Sequence, residues 1–138
     1  MEALATLARL ARQQIDRERQ ALGVVDAAMA ELHAEIERLR QAVADERQVA
    51  IGGVGDAFLA PYIAASRTRE KSLLTRLADL EQARVVQIER LLEQRLGLKR
   101  LERLSARRAE RQHAAQQRAS RKALEDLIQA RLVREGHG

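Results

Sequence analysis

The chain has no cysteine and no tryptophan, a single proline, and only two aromatic residues, Phe58 and Tyr62, in 138 positions. Each shortage removes a class of protein. Without cysteine there is no disulfide framework and no thiolate metal site, so a reducing compartment is permitted. Without rings there is little to fill the centre of a globular domain, yet 46% of the residues are apolar and must be covered somehow. No apolar run approaches the roughly 20 residues that span a bilayer, and the opening MEALATLARLARQQ lacks the apolar core of a signal peptide. What remains, 33% charged residues interleaved with aliphatics, is the profile of long helices or a coiled coil.

The charge is unevenly placed. Residues 1–83 carry 11 Lys/Arg against 13 Asp/Glu, residues 84–122 carry 12 against 4, and residues 123–138 carry 2 against 3. The net charge of +5 is therefore the work of one basic block, which favours an acidic partner: nucleic acid, an anionic membrane face or an acidic protein surface.

From Leu4 the chain reads Leu4, Ala8, Ala11, Ile15, Glu18, Leu22, Val25, Met29, Leu32, Ile36, Leu39, Val43 in alternating steps of four and three. A sustained period of 3.5 keeps one helix face turned toward a partner helix. Glu18 is the one charged residue in that seam, and a charge there works as an alignment device that disfavours shifted registers. After Pro61 the helical pattern resumes to about Arg134. Leu73, Leu77, Leu80, Ile88, Leu91, Leu98 and Leu101 share a face only if a four-residue stutter is placed near Arg84, and Gly97 predicts local unwinding.

Between the two stripes stands AIGGVGDAFLAPY, which holds three of the seven glycines, the proline and both aromatics. Glycines free the backbone for a reversal, Asp56 is placed to cap a short turn, and Pro61 suits the first turn of a helix. The expected fold class is all-α: one long antiparallel two-helix coiled-coil hairpin, with helix 1 about 2–50, a turn about 51–60 and helix 2 about 61–134. The arms are unequal, about 70 Å and 110 Å at 1.5 Å per residue, which places Met1 near Glu110 and leaves the rest of helix 2 without a partner.

Two surfaces follow as candidates. At the hairpin tip, Leu39, Val43, Phe58, Leu59, Tyr62 and Ile63 form an apolar group that is either a partner contact or a plug over the open end of the coil. On the overhang, Arg107, Arg108, Arg111, Arg118, Arg121 and Lys122 form a basic run, and Leu124, Leu127 and Ile128 form an apolar stripe with nothing to cover it. Catalysis and metal binding are not expected. His33, His113 and His137 lie far apart, GGVG lacks the Lys-Ser/Thr of a phosphate loop, and a two-helix rod has no pocket to shift a pKa. No cofactor is expected. QHAAQQRASRKAL echoes the basic region of a leucine-zipper factor but lacks its base-reading asparagine and a following zipper, so no specific nucleic acid is expected.

Taken in order, ALATLARLARQQIDRERQAL, the glycine-bearing turn, FLAPYI, LKRLERLSARRAE and RKALEDLIQAR resemble the FliJ family, the small soluble component of the bacterial flagellar type III export apparatus. The resemblance covers nearly the whole chain. It implies an antiparallel coiled coil like the central stalk of rotary ATPases, with no enzymatic activity of its own. It implies as partners a hexameric export ATPase, whose assembly it promotes, an export-gate membrane protein, and export chaperones. It also implies a cytoplasmic place at the inner face of the membrane, with the basic overhang toward the ATPase and the aromatic tip toward the gate. A generic coiled-coil scaffold or an export chaperone or adaptor is the alternative with the same stripes, and a basic helix protein that binds nucleic acid through nonspecific phosphate contacts is the lesser one.

Overall fold

The structure, a computed structural model, describes residues 2–51 and 56–136. All of them lie in two helices, α1 (Glu2–Ile51) and α2 (Asp56–Gly136), of 50 and 81 residues, packed against each other as a two-helix hairpin. Gly52, Gly53 and Gly55, expected to make the reversal, fall outside the described residues. By contacts the chain divides into two compact units, Gln13–Gln94 and Met1–Arg12 with Arg95–Gly138.

Within the first of these units, cross-helix pairs run in opposite directions along the two helices: Arg40 with Glu70, Glu35 with Arg69, Asp26 with Arg84, Glu18 with Gln87. The packing is antiparallel. Ile36, Leu73 and Leu77 form its buried cluster, with Met29, Leu32 and Leu39 against it, and Leu73 is wholly buried.

Every one of the twelve seam positions expected on α1, Leu4 to Val43, is buried or half-buried. So are Gln14, Ala21, Ala28, Glu35 and Ala42, seven residues apart and each just before a seam residue or one heptad from it. Three of these five are alanines, small enough to let the helices approach on that flank.

On α2 the structure corrects two expectations. Among the covered positions, Leu59, Ile63, Ser66, Glu70, Leu73, Leu77, Leu80, Arg84, Gln87, Leu91, Gln94, Leu98 and Leu101 follow steps of four and three without interruption, with Tyr62, Ile88 and Gly97 half-buried beside them. There is no stutter. The heptad passes through Arg84 and Gln87, which keep their seam places because each has a cross-helix acceptor. Arg84 Nε donates to Asp26 Oδ1 at 2.7 Å. Gln87 donates to the Glu18 carbonyl at 3.2 Å and to its carboxylate. No buried side-chain N or O among the described residues is left without a partner.

Secondly, α2 begins at Asp56, five residues before Pro61, so the proline lies inside the helix. Proline removes the bond its own N–H would make to the carbonyl of Ala57, and its ring crowds that carbonyl. Ala57 is exposed, where water can satisfy that carbonyl. The helix is continuous through Gly97, as expected, but without the expected local unwinding there.

Candidate partner-binding surfaces

At the tip, the six expected residues do not behave alike. Leu39 packs on the buried cluster, and Val43, Leu59, Tyr62 and Ile63 are half-buried. Phe58 stands 80% exposed. A plug would hide its rings between the helices, so Phe58 does not plug, while Tyr62 is placed partway between the two roles.

Leu39, Val43 and Ile63 also belong to a groove of about 450 Å³ near the end of the hairpin, together with Ile51, Ser66, Arg40, Arg47, Arg67 and Glu70. Arg40 Nε donates to Glu70 Oε1 at 2.7 Å, so the one acid in the lining is already engaged. Arg47 and Arg67, one on each helix, make no ion pair among the described residues. The groove is thus apolar inside and cationic along its edges. Arg47, Ile51 and Arg67 were not expected as site residues. The signal that marks them is negative: between Arg47 and Arg67 only Asp56 is charged, in 19 positions of a chain that is 33% charged.

In the second unit, Arg12 Nη2 lies 3.9 Å from Glu102 Oε1, and Leu4 meets Leu104, Arg107, Arg108 and Arg111 around a shallow cleft of about 270 Å³. The last covered residue of α2 is Leu101. From Glu102 to Gly136 every position is exposed, including Leu124 at 59%, Leu127 at 68% and Ile128 at 51%. Leu132 and Val133 extend this apolar group at 61% and 59%.

The arginines here fall into a pattern finer than a run. Arg100, Arg103, Arg107, Arg111, Arg118 and Lys122 follow steps of three, four, four, seven and four, which keeps them on one helix face over about 33 Å at 1.5 Å per residue. Arg108 and Arg121 flank that ladder. At about 100° per residue, Leu124, Leu127 and Ile128 centre on a different face, about 120° away. None of the cations from Arg103 to Lys122 is in an ion pair among the described residues. The stretch therefore offers a partner two surfaces, one of charge and one of aliphatic carbon. Arg100 and Arg103 escape a reading that looks for a contiguous run and emerge once the helical step is applied.

Among the described residues there is no group of three or more His, Cys, Asp or Glu able to hold a metal ion, and no helix long and apolar enough to cross a membrane. Compared with protein-family models, curated proteins and solved structures, the chain matches none.

Proposed function

We propose that the chain is a non-enzymatic stalk of a bacterial flagellar type III export apparatus, which binds and promotes the hexameric export ATPase and links it to the membrane-embedded export gate. Its place is cytoplasmic, against the inner face of the membrane, with export chaperones as further partners. The observation that supports this most is the stretch Glu102–Gly136: a helix exposed at every residue, with cations on one face and aliphatics on another. A helix of that composition with no cover from its own chain fits a binding element, because exposed apolar stripes beside unpaired charge are typical of interfaces.

The ATPase contact is assigned to the ladder and its neighbours, Arg107, Arg108, Arg111, Arg118, Arg121 and Lys122, with Leu124, Leu127 and Ile128. The test is stimulation of a purified export ATPase by the full chain. Arg118→Glu with Arg121→Glu is expected to lower stimulation at least about fivefold and to flatten its salt dependence, since rim charges act mainly through screened attraction. Unchanged stimulation refutes the assignment. Copurification of the full chain from a bacterial lysate with DNA in place of an ATPase would move the ladder to a phosphate backbone, whose contacts are equally salt-dependent.

A further inference from the structure

Exposed aliphatic residues occur along both helices, but nearly all stand among charges. Leu74 sits between Lys71 and Arg76, Val85 and Val86 beside Arg84 and Glu89, Leu92 between Arg90 and Glu93. The end of the hairpin is different. Val49 is 55% exposed, Ile51 79% and Phe58 80%, and the nearest basic residues in sequence are Arg47 and Arg67, which bound the whole stretch. Random placement at 33% charged would put about six charges in those 19 positions; there is one.

The groups able to make directed hydrogen bonds are also few. Among residues 48–51 and 57–66, only Gln48, Tyr62 and Ser66 have a polar side chain, and Ser66 is buried. Protein contacts usually surround their apolar anchors with a polar, hydrogen-bonding rim. Along the groove beside Ile51 and Ile63, Arg40 and Glu70 are paired with each other, which leaves Gln48 and the two guanidinium groups of Arg47 and Arg67 as the polar groups at its edge. Arginine forks bind phosphate oxygens well, and exposed apolar side chains at the end of a helical hairpin beside them suit a fluid surface of acyl chains under phosphate headgroups.

We propose that this end of the hairpin, through Val49, Ile51 and Phe58 with Arg47 and Arg67, is an interfacial anchor that seats in the headgroup region of a phospholipid bilayer. It lies in the interface without crossing it, as the absence of any membrane-spanning helix among the described residues requires. In the sequence the three acids Asp45, Glu46 and Asp56 outnumber Arg47 and Arg67. Net charge at this end therefore gives no preference for anionic lipid, and the binding comes from apolar insertion, with the two guanidinium groups meeting the phosphate oxygens that phospholipid headgroups carry. The proposal does not rest on the export reading, since it needs neither ATPase nor gate.

The chain supplies its own probe. Tyr62 is its only tyrosine and there is no tryptophan, so intrinsic emission reports the tip alone. The full chain is mixed with vesicles of phosphatidylcholine containing about 30% phosphatidylglycerol, with and without bromine on the acyl chains, and the bound fraction is measured by flotation. The protein is expected to float with the vesicles and brominated acyl chains to quench Tyr62. Ile51→Asp with Phe58→Asp is expected to weaken flotation about a hundredfold while leaving the helical circular dichroism unchanged, because both side chains already face water. Arg118→Glu with Arg121→Glu is expected to leave Tyr62 quenching intact. No flotation overturns the proposal. So does flotation without quenching that vanishes in the Arg118/Arg121 variant, which would be adsorption by the basic ladder. Vesicle binding unchanged in the Ile51/Phe58 variant also overturns it and leaves the tip as a protein contact.

Discussion

The pairing of Glu18 with Gln87 makes a sharp energetic prediction. Gln87 is 8% exposed, and its amide donates both to the Glu18 carbonyl, at 3.2 Å, and to the Glu18 carboxylate, which also accepts from Gln14 at 2.9 Å. Gln87→Leu removes a hydrogen bond to a charged group, a loss of about 1.5–3 kcal/mol. The new leucine returns about 1 kcal/mol, since the stem of Gln87 is already covered. The net expectation is destabilisation by about 1 kcal/mol. Glu18→Leu alone leaves the Gln87 amide with only the backbone carbonyl and costs about 0–1 kcal/mol after its own apolar gain. The double leucine variant replaces a polar layer by an apolar one and is expected to be about 1–3 kcal/mol more stable than the parent.

The coupling in this double-mutant cycle is thus about 2 kcal/mol or more, read by urea unfolding followed at 222 nm in far-ultraviolet circular dichroism. Single changes that add to the double within about 0.5 kcal/mol would refute a paired layer. Stability gained in this way should cost alignment. With spin labels on cysteines introduced at Glu31 and Arg76, both exposed in a chain with no cysteine of its own, the parent should give one distance. The double variant should add a population displaced by a heptad, about 10 Å.

Two further predictions concern packing and backbone. Leu73→Ala, at the wholly buried position, should destabilise by about 2–5 kcal/mol in the same urea assay, whereas Leu124→Ala, 59% exposed, should stay within about 0.5 kcal/mol; similar costs at both sites would mean the buried cluster is misplaced. Gly23→Ala and Gly97→Ala should each stabilise by about 1 kcal/mol, because both glycines are helical and a Cβ at either meets no atom within 4 Å; a lower melting temperature would show a constraint at those positions other than helix propensity.

The two helices differ in how openly their sequences declare the seam. On α1 eleven of twelve seam positions are apolar, so hydrophobic period alone finds all of them. On α2, Ser66, Glu70, Arg84, Gln87 and Gln94 occupy five of the thirteen seam positions. A search for apolar residues passes over them, meets Ile88, and infers a stutter. The missing information is pairwise: Arg84 and Gln87 belong to the seam only because Asp26 and Glu18 face them, and facing partners 58 and 69 residues away leave no trace in local period. The start of α2 escapes a reading of the sequence for a related reason. A proline read by itself marks a helix start, but five residues that tolerate helix precede it, and an exposed turn bears the lost bond cheaply. The basic and apolar residues past Leu101 were legible because exposure there follows from arm length alone. The groove at the tip was not, because its edges come from two helices and its sequence mark is a scarcity of charge.

The end of burial at Leu101, with helix continuing to Gly136, bears on how backbone amides exchange with solvent. Beneath the seam, an amide opens only when side-chain packing is broken. Beyond it, each turn is held by its own hydrogen bonds and by weak neighbours such as Arg131 and Glu135, 3.5 Å apart and four residues from each other, worth about 0.3–0.5 kcal/mol. Helices without tertiary support are marginal in water, so protection against deuterium should fall steeply just after Leu101 and decline toward Gly136. A partner that grips this stretch would slow exchange there far more than anywhere under the seam, so the amides that gain protection on binding would trace its footprint residue by residue.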